Sequence, residues 1–210
     1  MPVQTKICGL STPETLNAAI AGGASHVGFV FYPPSPRNVS FDRVAQLTAL
    51  VPGNVKRVGV FVDPTNATIE QAVAAGHLDI LQLHSTTPAR AVAIAKKGLE
   101  IWGVVAVRTR LDLDQAVRWT DVAARILYDA KTPEGTLPGG MGLRFDWTLL
   151  EGVRHAMPWA LSGGLDAENI AEAVRVTGAP LVDISSGVES TPGVKDMDKI
   201  AAFLKATSNL

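Results

Sequence analysis

Short apolar, β-rich runs alternate along the chain with longer segments of helical periodicity. The runs begin near Val3, Val27, Val58, Asp79, Ile101, Ile126, Ala160 and Leu181, at spacings of 21 to 34 residues. Such a spacing holds one strand, one helix and two short loops. VGFVF at 27–31, VGVFV at 58–62 and WGVVAV at 102–107 are nearly continuous in apolar residues, as parallel strands covered on both faces must be. The segments between carry helix punctuation. Ser11 with Glu14 has capping-box spacing, Pro13 falls in the first turn, and Gly22–Gly23 is the stop. Thr65 to Ala75 is periodic and ends at Gly76. Asp166 opens another helix, with Ile170, Ala173 and Val174 on one face and Gly178 at its end. The segment Leu111 to Ala124 is less regular, because Thr120 and Asp121 interrupt it.

Eight strands with seven or eight helices suit either a closed (β/α)8 barrel or an open doubly wound sheet. No GxGxxG follows the first run, which removes the main signature of a dinucleotide-binding open sheet. The 210 residues fit a minimal barrel, and one α/β domain of the (β/α)8 type over residues 1–210 is the expected fold. Charge narrows the function. With 19 basic against 20 acidic residues the chain has no field for phosphate backbones, so no nucleic-acid partner is expected. The apolar runs fall far short of the ~20 residues that span a bilayer, and Met1 to Leu10 lacks a secretory pattern. A cytoplasmic protein, monomeric rather than homodimeric, is the expectation.

Site candidates cluster where barrel enzymes build their sites, at the C-terminal ends of strands. Alternation places Lys6 and Cys8 on one face of the first strand, opposite Val3, Thr5 and Ile7. If the apolar set faces the helices, Lys6 and Cys8 face the barrel mouth, where the ammonium is expected to favour the thiolate. A free Cys also reads simply as a small buried hydrophobe. Asp129 ends the sixth strand and precedes a long loop, Thr132 to Arg144, containing Gly139–Gly140–Met141–Gly142. A thiol and a carboxyl whose environments separate their pKa values form a usable acid–base pair. Ser162–Gly163–Gly164 and Ser185–Ser186–Gly187 follow the last two strands, where backbone N–H groups of barrels often bind phosphate. Arg37, on the Pro-rich loop Tyr32 to Arg37, suits a substrate carboxylate held bidentately, or else a solvated charge. Gln82 and His84 share a strand face and either reach the mouth or plug its upper layer. Strand eight closes beside strand one, so Asp183 is expected to pair with Lys6. Trp102, Trp119, Trp147 and Trp159 read as packing. His26, His77 and His155 lack metal-ligand spacing, so no metal is expected.

Together these residues resemble the phosphoribosylanthranilate isomerase family of tryptophan biosynthesis, nearly end to end. The likeness is carried by Lys6-Ile7-Cys8-Gly9, Ser35-Pro36-Arg37, Leu81-Gln82-Leu83-His84, and Asp129 with the Gly139–Gly142 loop. It continues through Phe145-Asp146-Trp147, Leu161 to Leu165, and Asp183 to Glu189 with Gly193, Lys195 and Asp196. The resemblance implies an Amadori rearrangement of a phosphosugar substrate without cofactor or metal. It implies Cys8 as general base, Asp129 as general acid, Arg37 on the anthranilate carboxylate, and phosphate held by Gly140, Gly142, Gly163, Gly164, Ser185, Ser186 and Gly187. Met141, Ser85 and Ser162 stand where the family more often has Thr, Gly and Ala. Two other readings stay open. A sister barrel isomerase acts on a histidine-pathway aminoimidazole, but pairs two aspartates and grips two phosphates. The other is a barrel that only binds phosphosugars.

Overall fold

The computed structural model describes residues 2–95, 98–133 and 135–210; residue 134, in the long loop after the sixth strand, lies outside them. Eight parallel strands close on themselves in chain order: β1 (Gln4–Cys8), β2 (His26–Phe31), β3 (Lys56–Val62), β4 (Ile80–His84), β5 (Glu100–Val107), β6 (Arg125–Ala130), β7 (Trp159–Leu161) and β8 (Leu181–Ile184). The expected (β/α)8 barrel is the observed fold. Helices α1 (Pro13–Ala21), α2 (Phe41–Thr48), α3 (Asn66–Gly76) and α4 (Pro88–Ala95) follow the first four strands, and α5 (Ile170–Thr177) and α6 (Met197–Thr207) the last two. No helix among the described residues is long and apolar enough to cross a membrane.

Local chemistry explains most boundaries, and three differ from the sequence reading. The cap of α1 is Thr12, whose hydroxyl accepts from the Thr15 N–H, not Ser11. Asp166 starts a turn rather than a helix: its Oδ1 accepts from the Glu168 and Asn169 N–H groups, and α5 begins at Ile170. The interrupted segment after β5 is a 3₁₀ helix, Arg110–Trp119, whose Trp119 ring lies on Gly103 of β5. A Cβ at Gly103 would sit 2.5 Å from that ring, so packing on a bare backbone holds a segment with weak helical periodicity. The sequence reading did not foresee the antiparallel hairpin of β9 (Glu189–Thr191) and β10 (Val194–Lys195) after β8, nor the short 3₁₀ helix Trp147–Leu150 before β7.

Strand alternation divides the apolar residues into two cores. Ile7, Val27, Phe29, Phe61, Leu81 and Ile126 pack outward against the helices. Cys8, Val30, Val58, Val60, Ile80, Trp102, Leu127, Ala160 and Leu181 fill the barrel interior. Trp102 is fully buried, meets the His26 ring at a tilt of 52° with 5.1 Å between ring centroids, and lies under the Arg125 guanidinium at 5.3 Å. Interior side chains thus close the barrel below, and polar residues gather at the C-terminal ends of the strands.

Candidate active site

The site begins with the interior face of β1. Lys6 is fully buried and its Nζ donates to Asp183 Oδ1 at 2.8 Å, the two residues being register partners across β1 and β8. Burial opposes the Lys6 charge, but Asp183, with Cys8, outweighs it and holds the ammonium above its ordinary 10.5. Gly28 of β2 leaves room for this group: a Cβ there would lie 3.1 Å from both Cys8 Sγ and Lys6 Cε. The expected effect of Lys6 on Cys8 is present but not dominant. Burial pushes the thiol above 9.0 and Asp183 adds to the rise, with the Lys6 ammonium only partly offsetting them. Burial therefore favours the thiol form of Cys8, contrary to the thiolate expected from sequence.

Asp129 lies at the top of β6, buried, with its Oδ1 accepting the Ala130 N–H at 2.9 Å. Burial first, and then the Asp183 charge, raise its carboxyl from 3.8 to about 7. Cys8 and Asp129 line one cleft, together with Val30, Val60, Gln82 and His84. From β4, Gln82 Nε2 lies 3.0 Å from His84 Nε2, and burial with the Lys6 charge lowers the imidazole to about 4, leaving it neutral. The Gln82 side-chain oxygen is buried without a partner among the described residues.

Arg37 is a buried group, not a solvated charge. Its Nε and Nη2 grip the two oxygens of Glu189 at 2.7 Å each, and Nη2 also donates to the Gly140 carbonyl at 2.8 Å. The bidentate edge expected for a substrate carboxylate is therefore taken by Glu189, and Nη1 is left without a hydrogen bond among the described residues. Lys195 Nζ donates to Glu189 Oε1 at 2.7 Å and to the Ser185 carbonyl at 2.8 Å, and Ser185 Oγ donates to the Cys8 carbonyl at 3.2 Å.

A second lobe adjoins Asp129, lined by Gly139 to Leu143, Ser162 to Leu165 and Ile184 to Ser186. Gly163 (φ +91°) shows why this wall is glycine: a Cβ would lie 2.9 Å from the Ala130 nitrogen and 3.0 Å from Asp129 Oδ1. At Gly140 (φ +68°) a Cβ would lie 2.6 Å from Arg37 Nη1. The single 3₁₀ turn Ser186–Val188 follows β8 at the same wall. Gly187 stands apart from the lobe lining; it lets the Leu165 carbonyl pack against the chain. Thus Lys6, Cys8, Arg37, Gln82, His84, Asp129, Asp183 and the loop glycines converge on one end of the barrel. Sequence reasoning assigned no role to Glu189 or Lys195. The turn Thr191-Pro192-Gly193 between two short runs was the available hairpin signal.

A barrel mouth holding a carboxyl raised to about 7, a thiol and a bare-backbone lobe is the equipment of a (β/α)8 enzyme that moves protons on a small anionic substrate. The model of the family described as "N-(5'phosphoribosyl)anthranilate (PRA) isomerase" matches residues 5–206. The N-(5'-phosphoribosyl)anthranilate isomerase of Zymomonas mobilis subsp. mobilis is 53% identical over 209 residues, covering 98% of both chains. The solved phosphoribosyl anthranilate isomerase of Thermotoga maritima superposes with a TM-score of 0.89 at 35% identity, over 99% of this chain and 100% of that one. A further solved isomerase, in complex with reduced 1-(o-carboxyphenylamino)-1-deoxyribulose 5-phosphate, gives 0.86 at 33% identity over the same shares. The chain belongs to the N-(5'-phosphoribosyl)anthranilate isomerase family.

Proposed function

We propose that this enzyme converts N-(5'-phosphoribosyl)anthranilate to 1-(2-carboxyphenylamino)-1-deoxyribulose 5-phosphate, with Asp129 as acid and Cys8 as base. The observation that carries the assignment is their shared cleft, with a neutral-capable carboxyl on one strand end and a thiol beside an ammonium on another. Asp129 gives its proton to the furanose ring oxygen, the C1'–O bond breaks, and the anthranilate nitrogen lone pair forms the imine. Cys8 then takes the C2' proton, and the C2'–H electrons form the enolamine double bond. A proton returned to C1', and loss of the C2' hydroxyl proton, give the ketone. Burial suits Asp129 to donate near neutral pH. For Cys8 it works the other way, and the cationic imine supplies what Lys6 alone does not. That positive charge beside C2' both acidifies the C–H bond and stabilises the thiolate.

Arg37 offers Nη1 to the anthranilate carboxylate, while backbone N–H groups of the loops at Gly140–Gly142, Gly163–Gly164 and Ser185–Ser186 hold the phosphate. Gly187 serves that grip by packing beneath it. Lys6 and Asp183 set the charge around the thiol, and Gln82 and His84 form a neutral wall. One chain contains every group these steps need, so a monomer in the cytoplasm suffices. The test is loss of the fluorescence of freshly generated phosphoribosylanthranilate above the uncatalysed rate. Cys8→Ala is expected to cost ~10²–10⁴-fold in turnover. Near-normal turnover in the folded variant would remove the base from this scheme.

A further inference from the structure

The eight barrel strands leave Glu189 and Lys195 unexplained. Both belong to the β9–β10 hairpin, which Lys199 of α6 secures by donating to the Glu189 carbonyl at 2.7 Å. Every part of the Glu189 carboxylate is engaged. Oε1 accepts from Arg37 Nε and Lys195 Nζ, and Oε2 accepts from Arg37 Nη2 and, at 3.2 Å, the Gly193 N–H. Two buried cations thus share one buried anion, so the group carries one uncompensated positive charge at the cleft wall. Electroneutrality alone would require no such bidentate geometry; a fixed guanidinium plane does. An arginine carries large rotamer freedom, and freezing it in the folded protein removes that cost from the binding step.

We propose that Glu189 is the positioning residue for substrate-carboxylate recognition: from the β9–β10 hairpin it locks the Arg37 fork, leaving the Nη1 donors beside Gly140 for the carboxylate. The net positive charge is completed by that anion. The inference rests on the reading of Arg37 as the carboxylate contact, and the variants separate the two.

Steady-state kinetics, with calorimetric binding of reduced 1-(2-carboxyphenylamino)-1-deoxyribulose 5-phosphate, are compared for Arg37→Ala, Glu189→Gln and the double variant. Glu189→Gln places an amide N–H against one of the two cations, and is expected to raise KM and the inhibitor Kd about tenfold or more. The kcat is expected to stay within about threefold. In the Arg37→Ala background the same change is expected to add nothing, because the group it positions is gone. Glu189→Asp keeps the charge but withdraws it by a methylene, so its KM is expected to rise by an intermediate factor. It also remains informative should the Gln variant fail to fold. An unchanged KM and Kd in folded Glu189→Gln or Glu189→Asp would overturn the proposal while leaving Arg37 as the contact. Additive effects in the double variant would overturn it as well. An unchanged KM in Arg37→Ala would instead refute the Arg37 reading, and the Glu189 proposal with it.

Discussion

Replacing Asp129 with Asn removes an ionisable proton while preserving the shape of the neutral acid. The wild-type carboxyl is held at about 7 by burial and by the Asp183 charge, against an ordinary 3.8 that the unfolded chain recovers. The folded state therefore binds this proton more tightly than the unfolded state. Stability from the group is complete below about pH 4 and is lost as pH rises through 7. The roughly three-unit difference amounts to about 4 kcal/mol, of which roughly 3 kcal/mol disappears between pH 5 and pH 8. Asn buries no charge at any pH, and its carbonyl oxygen can keep the Ala130 N–H bond. The new amide donor, if unpaired, costs about 1–2 kcal/mol throughout. Asp129→Asn is thus expected to match wild type near pH 5 and to exceed it by about 2–3 kcal/mol at pH 8. Its turnover is expected to fall ~10²–10⁴-fold. Urea unfolding followed by tryptophan fluorescence from pH 5 to pH 8, with turnover measured on the same samples, checks both halves. A stability difference that does not change with pH would refute the burial argument, and wild-type turnover would refute the acid.

Three further outcomes follow from the same geometry. With burial holding Asp129 near 7 and pushing the Cys8 thiol up from its ordinary value, the free-enzyme form having a protonated acid and an ionised base is a small minority. The kcat/KM is expected to climb as pH rises through about 7, level off, and fall beyond the thiol's own range; a lone descending limb at 7 would contradict this pairing. Lys6→Met strands Asp183 in the barrel and is expected to cost about 3–5 kcal/mol in urea unfolding. It should also move the pH midpoint of Cys8 alkylation upward; an unmoved midpoint would show that Lys6 does not act on the thiol. Gly163→Ala is expected to lose tenfold or more in kcat by displacing Asp129. Gly23→Ala, at a similar φ of +89° with nothing within 4 Å, should cost about 1 kcal/mol of strain and no turnover; equal kcat losses in the two would refute the steric argument.

The alternation of apolar runs determined a parallel α/β sheet, because period and spacing are local properties; the missing GxGxxG and the chain length pointed to its closed form, and closure itself is decided by the pairing of β1 with β8. Two-residue periodicity put Lys6 and Cys8 on one strand face, the barrel architecture made that face the interior once the opposite face was taken to meet the helices, and strand order paired Asp183 with Lys6. The balance of forces at Cys8 was not legible. Sequence shows that a cation is near but not how much water is lost, and desolvation outweighs the ammonium. Nor did the sequence reveal what occupies Arg37. Its partner Glu189 stands 152 residues away on a hairpin too short to announce itself by periodicity. Only tertiary folding decides which buried charges meet, since the cost of burying each depends on the geometry of all the others.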